Sequence, residues 1–320
     1  MATVPRRVGV TVPFPGVRLH DHREWYEEIA ALGFTDVWSG EANSQDGFTP
    51  LALAAAWAPT LRSGVAIAPA FTRGPALLAQ TAASMADAAP GRFALGIGAS
   101  SPAIVERWNG LPFTDPYERT RDVLRFLRRA LTGEKVTERY DTFEVHGFRL
   151  GLVPEEPPPV LVAALRPRML RLAGEEGDGA ILNWLSAEDV ARVAPYVGDK
   201  EIVARIFVVP SDDFASVRAF AARQITSYLT VDAYAAFQRW LGRGPALTPM
   251  WEAWDAGDRT RALELVPDEV VDDLIVWGTP ERIHARVERY AEHGVTTTAP
   301  AILSGPEQAR ATIRALAPTP

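Results

Sequence analysis

The sequence predicts a single domain that spans residues 1–320 and folds as one closed (β/α)8 barrel, a TIM barrel of the α/β class. Three observations support this prediction: strand-like and helix-like segments alternate along the chain, eight strand-like segments occur, and no proline- or serine-rich linker divides the chain. The length also fits one α/β barrel. An open doubly wound sheet is less favoured, because it depends on Gly96 and Gly98, and the third position of that glycine fingerprint is Ser101.

The eight predicted strands are short apolar segments that end at a glycine, a proline or a helix-like segment. In chain order they cover residues 8–12, 34–38, 64–68, 93–98, 160–165, 179–184, 202–209 and 296–303. The predicted helices show apolar residues at helical spacing or begin with proline in the first turn. They cover residues 21–32, 49–57, 74–88, 117–131, 168–176, 187–197, 212–229, 280–293 and 306–316.

Two insertions interrupt this alternation. Residues 136–150 follow the fourth barrel helix and are predicted to contain a β-hairpin around residues 143–148. Residues 231–265 precede the last strand and are predicted to form a helical insert that carries Trp240, Trp251 and Trp254. We expect this insert to cover the substrate side of the barrel and to determine specificity.

The composition excludes several classes of function. A formal net charge of −7 argues against a broad nucleic-acid surface, because phosphate binding of that kind needs a clustered basic face. The absence of cysteine excludes disulfides, thiolate metal sites and a cysteine nucleophile. Neither a His-Glu-x-x-His motif nor a Gly-x-Ser-x-Gly motif occurs, so we expect no metal site and no serine hydrolase.

The N-terminal sequence and the hydropathy pattern predict a cytoplasmic protein without a membrane partner. Arg6 and Arg7 run directly into the first predicted strand, which leaves no room for the apolar region of a signal peptide. No apolar run reaches the roughly 18 residues that a membrane-spanning helix needs.

In a barrel the reactive groups lie at the carboxyl ends of the strands. Glu41 follows the second strand, where a carboxylate would be partly desolvated, as a group that exchanges a proton requires; it could equally cap a loop. His20 and His22 lie in the first loop, and histidine suits acid/base work near neutral pH, although an exposed histidine without a role is more common. Glu41 and His20 are therefore the candidate catalytic residues.

The corner after the fifth strand is a candidate anion site. Arg166 and Arg168 flank Pro167 at the start of a predicted helix, where backbone N–H groups and guanidinium groups together suit a phosphate. The alternative is that both arginines pair with acidic surface residues such as Glu175 or Glu176. The sequence leaves the two interpretations equally open.

Several short motifs, each weak alone, occur in a specific combination and order. They are Val37-Trp-Ser-Gly-Glu-Ala42, Phe48-Thr-Pro-Leu51, Ala70-Phe-Thr-Arg-Gly-Pro75, Gly91-Arg-Phe-Ala-Leu-Gly-Ile-Gly98, Glu106-Arg-Trp-Asn-Gly110, Ala163-Ala-Leu165, Glu176-Gly-Asp-Gly179 and Val276-Trp-Gly-Thr-Pro-Glu-Arg282. This combination resembles the bacterial luciferase-like superfamily, specifically its branch of oxidoreductases that use the deazaflavin coenzyme F420, which includes methylene-tetrahydromethanopterin reductases.

The resemblance implies that the deazaflavin ring lies across the carboxyl ends of the strands. A cis peptide bond without proline is expected at the end of the third strand, near Val65 and Ala66. Gly98 would then give clearance to the ring, and Ser100 and Ser101 would donate hydrogen bonds to it.

The phosphate-bearing tail of the cofactor would lie over the fifth strand end and its corner. The residues that the resemblance implies there are Ala164, Leu165, Arg166 and Arg168, with Asn183 close by. This expectation agrees with the anion site inferred from the residues alone.

The implied function is hydride transfer between C5 of coenzyme F420 and a small organic substrate, with Glu41 or His20 handling the proton, in a homodimeric enzyme. One alternative is a luciferase-like monooxygenase that binds FMN. A second alternative is a member of the family that has lost catalysis and acts as a binding or assembly protein.

Two departures from the family narrow the substrate. Members that oxidise glucose 6-phosphate share an Asp-His pair after strand two and a glutamate after strand four. At these places this chain has Gly40-Glu41 and Ser101. The lysine expected near strand six for a sugar phosphate is also missing. Methylene-tetrahydromethanopterin reductases likewise tend to carry Asp-His after strand two, so both substrates are disfavoured.

Overall fold

A computed structural model describes residues 4–318 and contains a closed barrel of parallel strands. The strands are β1 (Arg7–Thr11), β2 (Asp36–Ser39), β3 (Arg62–Pro69), β4 (Phe93–Gly98), β5 (Val136–Arg139), β6 (Glu144–Phe148), β7 (Val160–Ala163), β8 (Gly179–Asn183), β9 (Glu201–Val209), β10 (Ile275–Trp277) and β11 (Thr297–Ile302). Eight of them pair in the order β1-β2-β3-β4-β7-β8-β9-β11, and β11 pairs with β1 to close the ring. The predicted barrel is confirmed, and the eight predicted strands match these.

Helices connect the barrel strands and surround them. They are α1 (Arg23–Ala31), α2 (Thr49–Trp57), α3 (Pro75–Ala88), α4 (Pro116–Ala130), α5 (Pro167–Glu175), α6 (Ala187–Val197), α7 (Phe214–Leu229), α8 (Asp232–Leu241), α9 (Gly244–Asp255), α10 (Arg259–Glu264), α11 (Asp268–Leu274), α12 (Pro280–Glu292) and α13 (Pro306–Ala315). Proline occupies the first turn of many of them, where it costs no hydrogen bond. None of the helices in residues 4–318 is long and apolar enough to span a membrane.

Both predicted insertions are present. Strands β5 and β6 form the antiparallel hairpin, and helices α8 to α10 cover the predicted helical insert. The sequence did not predict β10, a short strand that pairs in parallel with Phe207–Val209 of β9. Because β8 pairs only with Glu201–Arg205, β9 changes neighbour halfway along its length. Helices α7 and α9 to α11 share with β10 an apolar core of their own.

One large side chain fills the centre of the barrel. Trp38 of β2 is 1% exposed and packs with the inward-facing Leu161, Ile181 and Val203. A methyl group placed on Gly64 of β3 would overlap the Trp38 ring. The glycine is therefore required for packing, and the barrel is a filled core rather than a pore.

Charged side chains close the amino-terminal end of the barrel. Arg62 donates two hydrogen bonds to Glu201, at 2.7 and 2.8 Å, and one to Asp36 at 3.1 Å. Thr297 donates another to Glu201 at 2.8 Å. Burial raises the pKa of Asp36, and Arg62 only partly opposes it. Burial would also raise the pKa of Glu201, but the contacts with Arg62 outweigh it and hold that pKa below its usual range. These four residues are called the base cluster.

Candidate active site

The opposite end of the barrel is open to solvent. Inward-facing positions near the carboxyl ends of β1, β3, β7 and β8, and at the middle of the longer β9, are partly exposed. These positions, called the barrel mouth, are Thr11, Ala66, Ile67, Ala163, Asn183 and Arg205. In a TIM barrel this end carries the reactive groups. The mouth is therefore the candidate active site.

Several of the predicted cofactor-binding residues lie along one continuous arc of the mouth. A methyl group on Gly98 of β4 would lie 2.9 Å from the Cβ of Ala163 and 3.3 Å from Ile67, so this part of the wall is tight and small. Ala164 is buried, and its backbone nitrogen donates to the carbonyl of Ile181 at 3.1 Å. Asn183 ends the next strand. The arc presents small side chains and backbone on three neighbouring strands.

Strand β3 bulges at the mouth. Its register with β4 shifts between Val65 and Ala68, which leaves Ala66 and Ile67 out of the ladder and partly exposed. The cis peptide bond joins Ala66 and Ile67, one residue beyond the predicted pair. The side chain of Val65 is fully buried beneath Gly47. Ala66 and Ile67, rather than Val65, therefore present side chains to the mouth.

The turn after β4 holds the two predicted serines. Ser100 has a φ of 68°, a left-handed conformation that is uncommon outside glycine, asparagine and aspartate. Ser101 is partly exposed, and its hydroxyl accepts a long hydrogen bond from the backbone of Ile104 at 3.5 Å, where a π-helical turn over Ala103–Trp108 begins. Such backbone conformations concentrate at functional sites.

Glu41 is held in an ion pair beside the end of β2. Arg73 donates to both of its carboxylate oxygens, with distances of 2.8 to 3.1 Å. The guanidinium of Arg73 also lies 4.6 Å from the ring centre of Phe48. The backbone nitrogen of Glu41 donates to the carbonyl of Ile67 at 3.3 Å. The pair fixes the Glu41 carboxylate next to the β3 bulge, as an acceptor of hydrogen bonds.

The two histidines of the first loop differ. The side chain of His20 is 72% exposed and lies 3.3 Å from Asp21. His22 is fully buried; its Nε2 accepts from the backbone of Phe14 at 3.0 Å, and its Nδ1 lies 2.9 Å from the carbonyl of Arg18, to which it donates. Burial lowers the pKa of His22, against the opposing effect of the Arg18 carbonyl and Asp21. His22 is a neutral structural residue, and the expectation that it suits acid/base work is wrong.

The two arginines after β7 have different surroundings. Arg168 donates to Glu118 at 2.6 Å and lies 3.7 Å from the ring centre of Tyr117. Arg168 therefore does pair on the surface, but not with Glu175 or Glu176, which the sequence analysis considered; Glu176 binds Arg125 instead. Arg166 is exposed, and its side chain makes no ion pair or hydrogen bond among residues 4–318, although its backbone carbonyl accepts from Leu170 at 3.0 Å.

Sequence reasoning missed the polar group on the other side of Asn183. Arg205 of β9 lies in register with Asn183, and its guanidinium carbon is 4.9 Å from the Phe207 ring centre. The amide nitrogen of Asn183 donates to the Tyr234 hydroxyl at 3.3 Å. Burial raises the pKa of Tyr234, so this phenol stays neutral. A single arginine within the apolar segment 202–209 was the signal that could have identified Arg205.

Aromatic side chains from the helical insert and neighbouring elements support this polar group. The Trp184 ring packs in a tilted arrangement against Phe207, with ring centres 4.3 Å apart, and against Tyr228 at 4.9 Å. Gln238 of α8 donates to the carbonyl of Trp184 at 2.7 Å. The insert therefore reaches the mouth beside β8 and β9. In the described part of the chain, no cluster of three or more metal-ligating side chains occurs.

Comparison with known proteins agrees with this geometry. Residues 3–297 match the family described as luciferase-like monooxygenase. The chain is 26% identical over 292 residues to a 5,10-methylenetetrahydromethanopterin reductase of Methanolobus tindarius, covering 87% of this chain and 89% of that protein.

Two solved structures share the fold. The coenzyme F420 dependent tetrahydromethanopterin reductase from Methanopyrus kandleri has a TM-score of 0.80 at 19% identity, covering 98% of this chain and 97% of that chain. The oxygenating constituent of 3,6-diketocamphane monooxygenase from Pseudomonas putida, in complex with FMN, has a TM-score of 0.64 at 16% identity, covering 98% and 97%.

Proposed function

Because the chain belongs to the luciferase-like monooxygenase family, we propose that it is an oxidoreductase that uses coenzyme F420 to exchange a hydride with a small organic substrate. The observation that carries this proposal is the group of small residues where β3, β4 and β7 meet at the barrel mouth: Ala66 and Ala163 are partly exposed, and Gly98 lies between them. A flat ring can approach such a wall closely, because few side chains project from it. The coenzyme F420 dependent reductase from Methanopyrus kandleri, which shares the fold, supports the choice of cofactor.

The residues at the mouth fit the cofactor. A side chain at position 98 would contact Ala163 and Ile67 too closely. The glycine therefore leaves this part of the wall without a projecting side chain. Ala66, Ile67, Gly98, Ser100 and Ser101 would hold the ring, and the segment from Ala164 to Arg168, with Asn183, would hold the tail. When bound, the deazaflavin supplies a C5 position that donates or accepts a hydride.

The chain itself positions the reactants and handles the proton. The Trp38 side chain fills the barrel below the mouth. The site therefore has a rigid base that excludes water. Glu41, held by Arg73, accepts or returns the proton that accompanies the hydride; exposed His20 is the other candidate for this role. We further propose a homodimer, which light scattering on the eluting protein would test.

Cofactor titration tests the proposal. Coenzyme F420 and FMN are each added to the protein, and binding is followed by cofactor fluorescence and by the unfolding temperature. A ligand at about 100 times its Kd stabilises by ~2.7 kcal/mol. We expect F420 to bind and stabilise more strongly than FMN. Preference for FMN would favour the monooxygenase, which the likeness to the FMN-bound structure supports. If neither cofactor binds, the result favours the alternative that the protein is a non-catalytic binding or assembly protein.

Glu41→Gln tests the proton role. The amide keeps the shape of the carboxylate but accepts no proton, so we expect turnover to fall by about 10²–10⁴-fold while the Kd for F420 changes little. Arg73→Lys is the matched control, because it retains a positive partner for Glu41. Unchanged turnover in Glu41→Gln would assign the proton to another group, with His20→Gln as the next variant.

A further inference from the structure

Arg205 is a charged residue inside an otherwise apolar strand. Its neighbours on β9 are buried, whereas Arg205 is partly exposed at the mouth. It faces inward, because Val203, two residues earlier, packs in the centre of the barrel. Within residues 4–318 its guanidinium forms no ion pair or hydrogen bond, and its buried Nε has no partner.

An unpaired, partly buried guanidinium inside a barrel differs from an ordinary surface arginine. Buried or half-buried charges are normally paired, because desolvation without a partner is costly. At the other end of the barrel, Arg62 follows this rule with two carboxylates. Beside Arg205 lie the face of Phe207, the Tyr234 phenol and, on the next strand, Asn183, and none of these is a carboxylate. A positive charge without a carboxylate partner at the barrel mouth attracts an anion.

Arg205 lies at the edge of the proposed cofactor site, on the strand next to Asn183. The residues of that site follow β3, β4, β7 and β8, and Arg205 lies one strand further, in register with Asn183. Within residues 4–318 the buried Oδ1 of Asn183 also lacks a partner, so a ligand on this side of the mouth would meet a free donor on Arg205 and a free acceptor on Asn183. The helical insert reaches the same side through Gln238 and Tyr234.

We propose that Arg205 binds a carboxylate group of the substrate, which makes the substrate class a small organic carboxylate; this inference rests on the proposed function. The planar fork of arginine matches a carboxylate with two parallel hydrogen bonds. One guanidinium at this position balances one negative charge, whereas a phosphate would call for further cations.

Paired probes test the proposal. Benzoate and benzamide have nearly the same shape and differ in charge, so their Kd values are compared by calorimetry on the apo-protein and on the F420-loaded protein. We expect the wild type to bind benzoate about tenfold more tightly than benzamide, which corresponds to ~1.4 kcal/mol. Arg205→Met should abolish that preference, and Arg205→Lys should retain part of it. Arg139→Met, at an exposed arginine of the hairpin, is the matched control and should keep it.

The outcomes separate this inference from the proposed function. Equal binding of the two probes by the wild type, or a benzoate preference that survives in Arg205→Met, overturns the proposal. A loss of F420 affinity in Arg205→Met as large as the loss for benzoate also overturns it, because the guanidinium would then serve the cofactor. If the wild type binds no F420 but the apo-protein shows an Arg205-dependent benzoate preference, the carboxylate site stands and the cofactor assignment fails. Arg205→Lys supplies the readout if Arg205→Met does not fold.

Discussion

Within the described residues, an inward-facing arginine has carboxylate partners at one end of the barrel and none at the other. At the base cluster, Arg62 is held by Glu201 and Asp36, with side-chain exposures of 7%, 11% and 0%. At the mouth, Arg205 has no carboxylate partner in residues 4–318 and is partly exposed. The same side chain therefore stabilises the fold at one end and remains available to a ligand at the other.

Strand β9 takes part in both arrangements. Glu201, Val203 and Arg205 alternate with outward-facing residues, so all three face the barrel interior. About 13 Å separates the first from the last at a rise of ~3.3 Å per residue. Along this one strand, Glu201 is paired with a cation, Val203 lies in the apolar layer, and Arg205 has no anionic partner in the part of the chain that the structure describes.

The largest expected effect comes from making the same substitution at both ends. Arg62→Met removes the main cationic partner of two buried carboxylates, leaving Thr297 beside Glu201 and Arg7 beside Asp36, and should lower the free energy of unfolding by about 3–5 kcal/mol. Arg205→Met removes no partner from the fold and should change it by roughly 1 kcal/mol or less. Urea unfolding of both variants measures the difference. Similar losses in the two would show that Arg205 is a structural residue.

A second prediction concerns the layer between the two ends. Gly64→Ala places a methyl group in the Trp38 ring and should destabilise the protein by about 1–3 kcal/mol. Gly74→Ala is a control, because that glycine precedes α3 with open space around it and should change stability little. If Gly64→Ala has the same urea midpoint as the wild type, the Trp38 ring has room to move and the centre of the barrel is not tightly packed.

The smallest effect concerns the buried histidine of the first loop. The pKa of His22 in the fold lies below its ordinary value of 6.5, so the unfolded chain binds a proton that the folded protein does not. Stability from this group is therefore complete above that value and decreases as the pH falls below it. Unfolding free energies between about pH 8 and about pH 5 should show this slope in the wild type and a smaller slope in His22→Gln. An equal slope in both would place the titration elsewhere.

The sequence was sufficient to predict the barrel but not the contacts that its charged side chains make. Eight apolar segments such as 93–98 and 202–209 carry a strong local signal, so their order predicts the fold. The base cluster joins Asp36, Arg62 and Glu201, which are far apart in the chain, and their contact depends on strand register. Local patterns contain no such register.

The candidate site was predictable to a similar extent. Strand ends can be counted, so Gly98, Ala164 and Asn183 were placed on one rim, with Ala66 beside them. The partners of a charged residue could not be read in the same way: Arg168 binds Glu118, and Glu41 binds Arg73. Strand β10 was missed because three residues give too short an alternation to distinguish from the end of a helix.

The junction of β9 with β10 has an evolutionary consequence. The chain from Asp232 to Trp277 leaves and rejoins the barrel beside a single strand and carries much of its own apolar core. Changes within it alter the wall beside Arg205 without disturbing the packing around Trp38 or the ions at the base. We therefore expect that exchanging this segment among homologous chains would change the surroundings of Arg205 while leaving the packing around Trp38 unchanged.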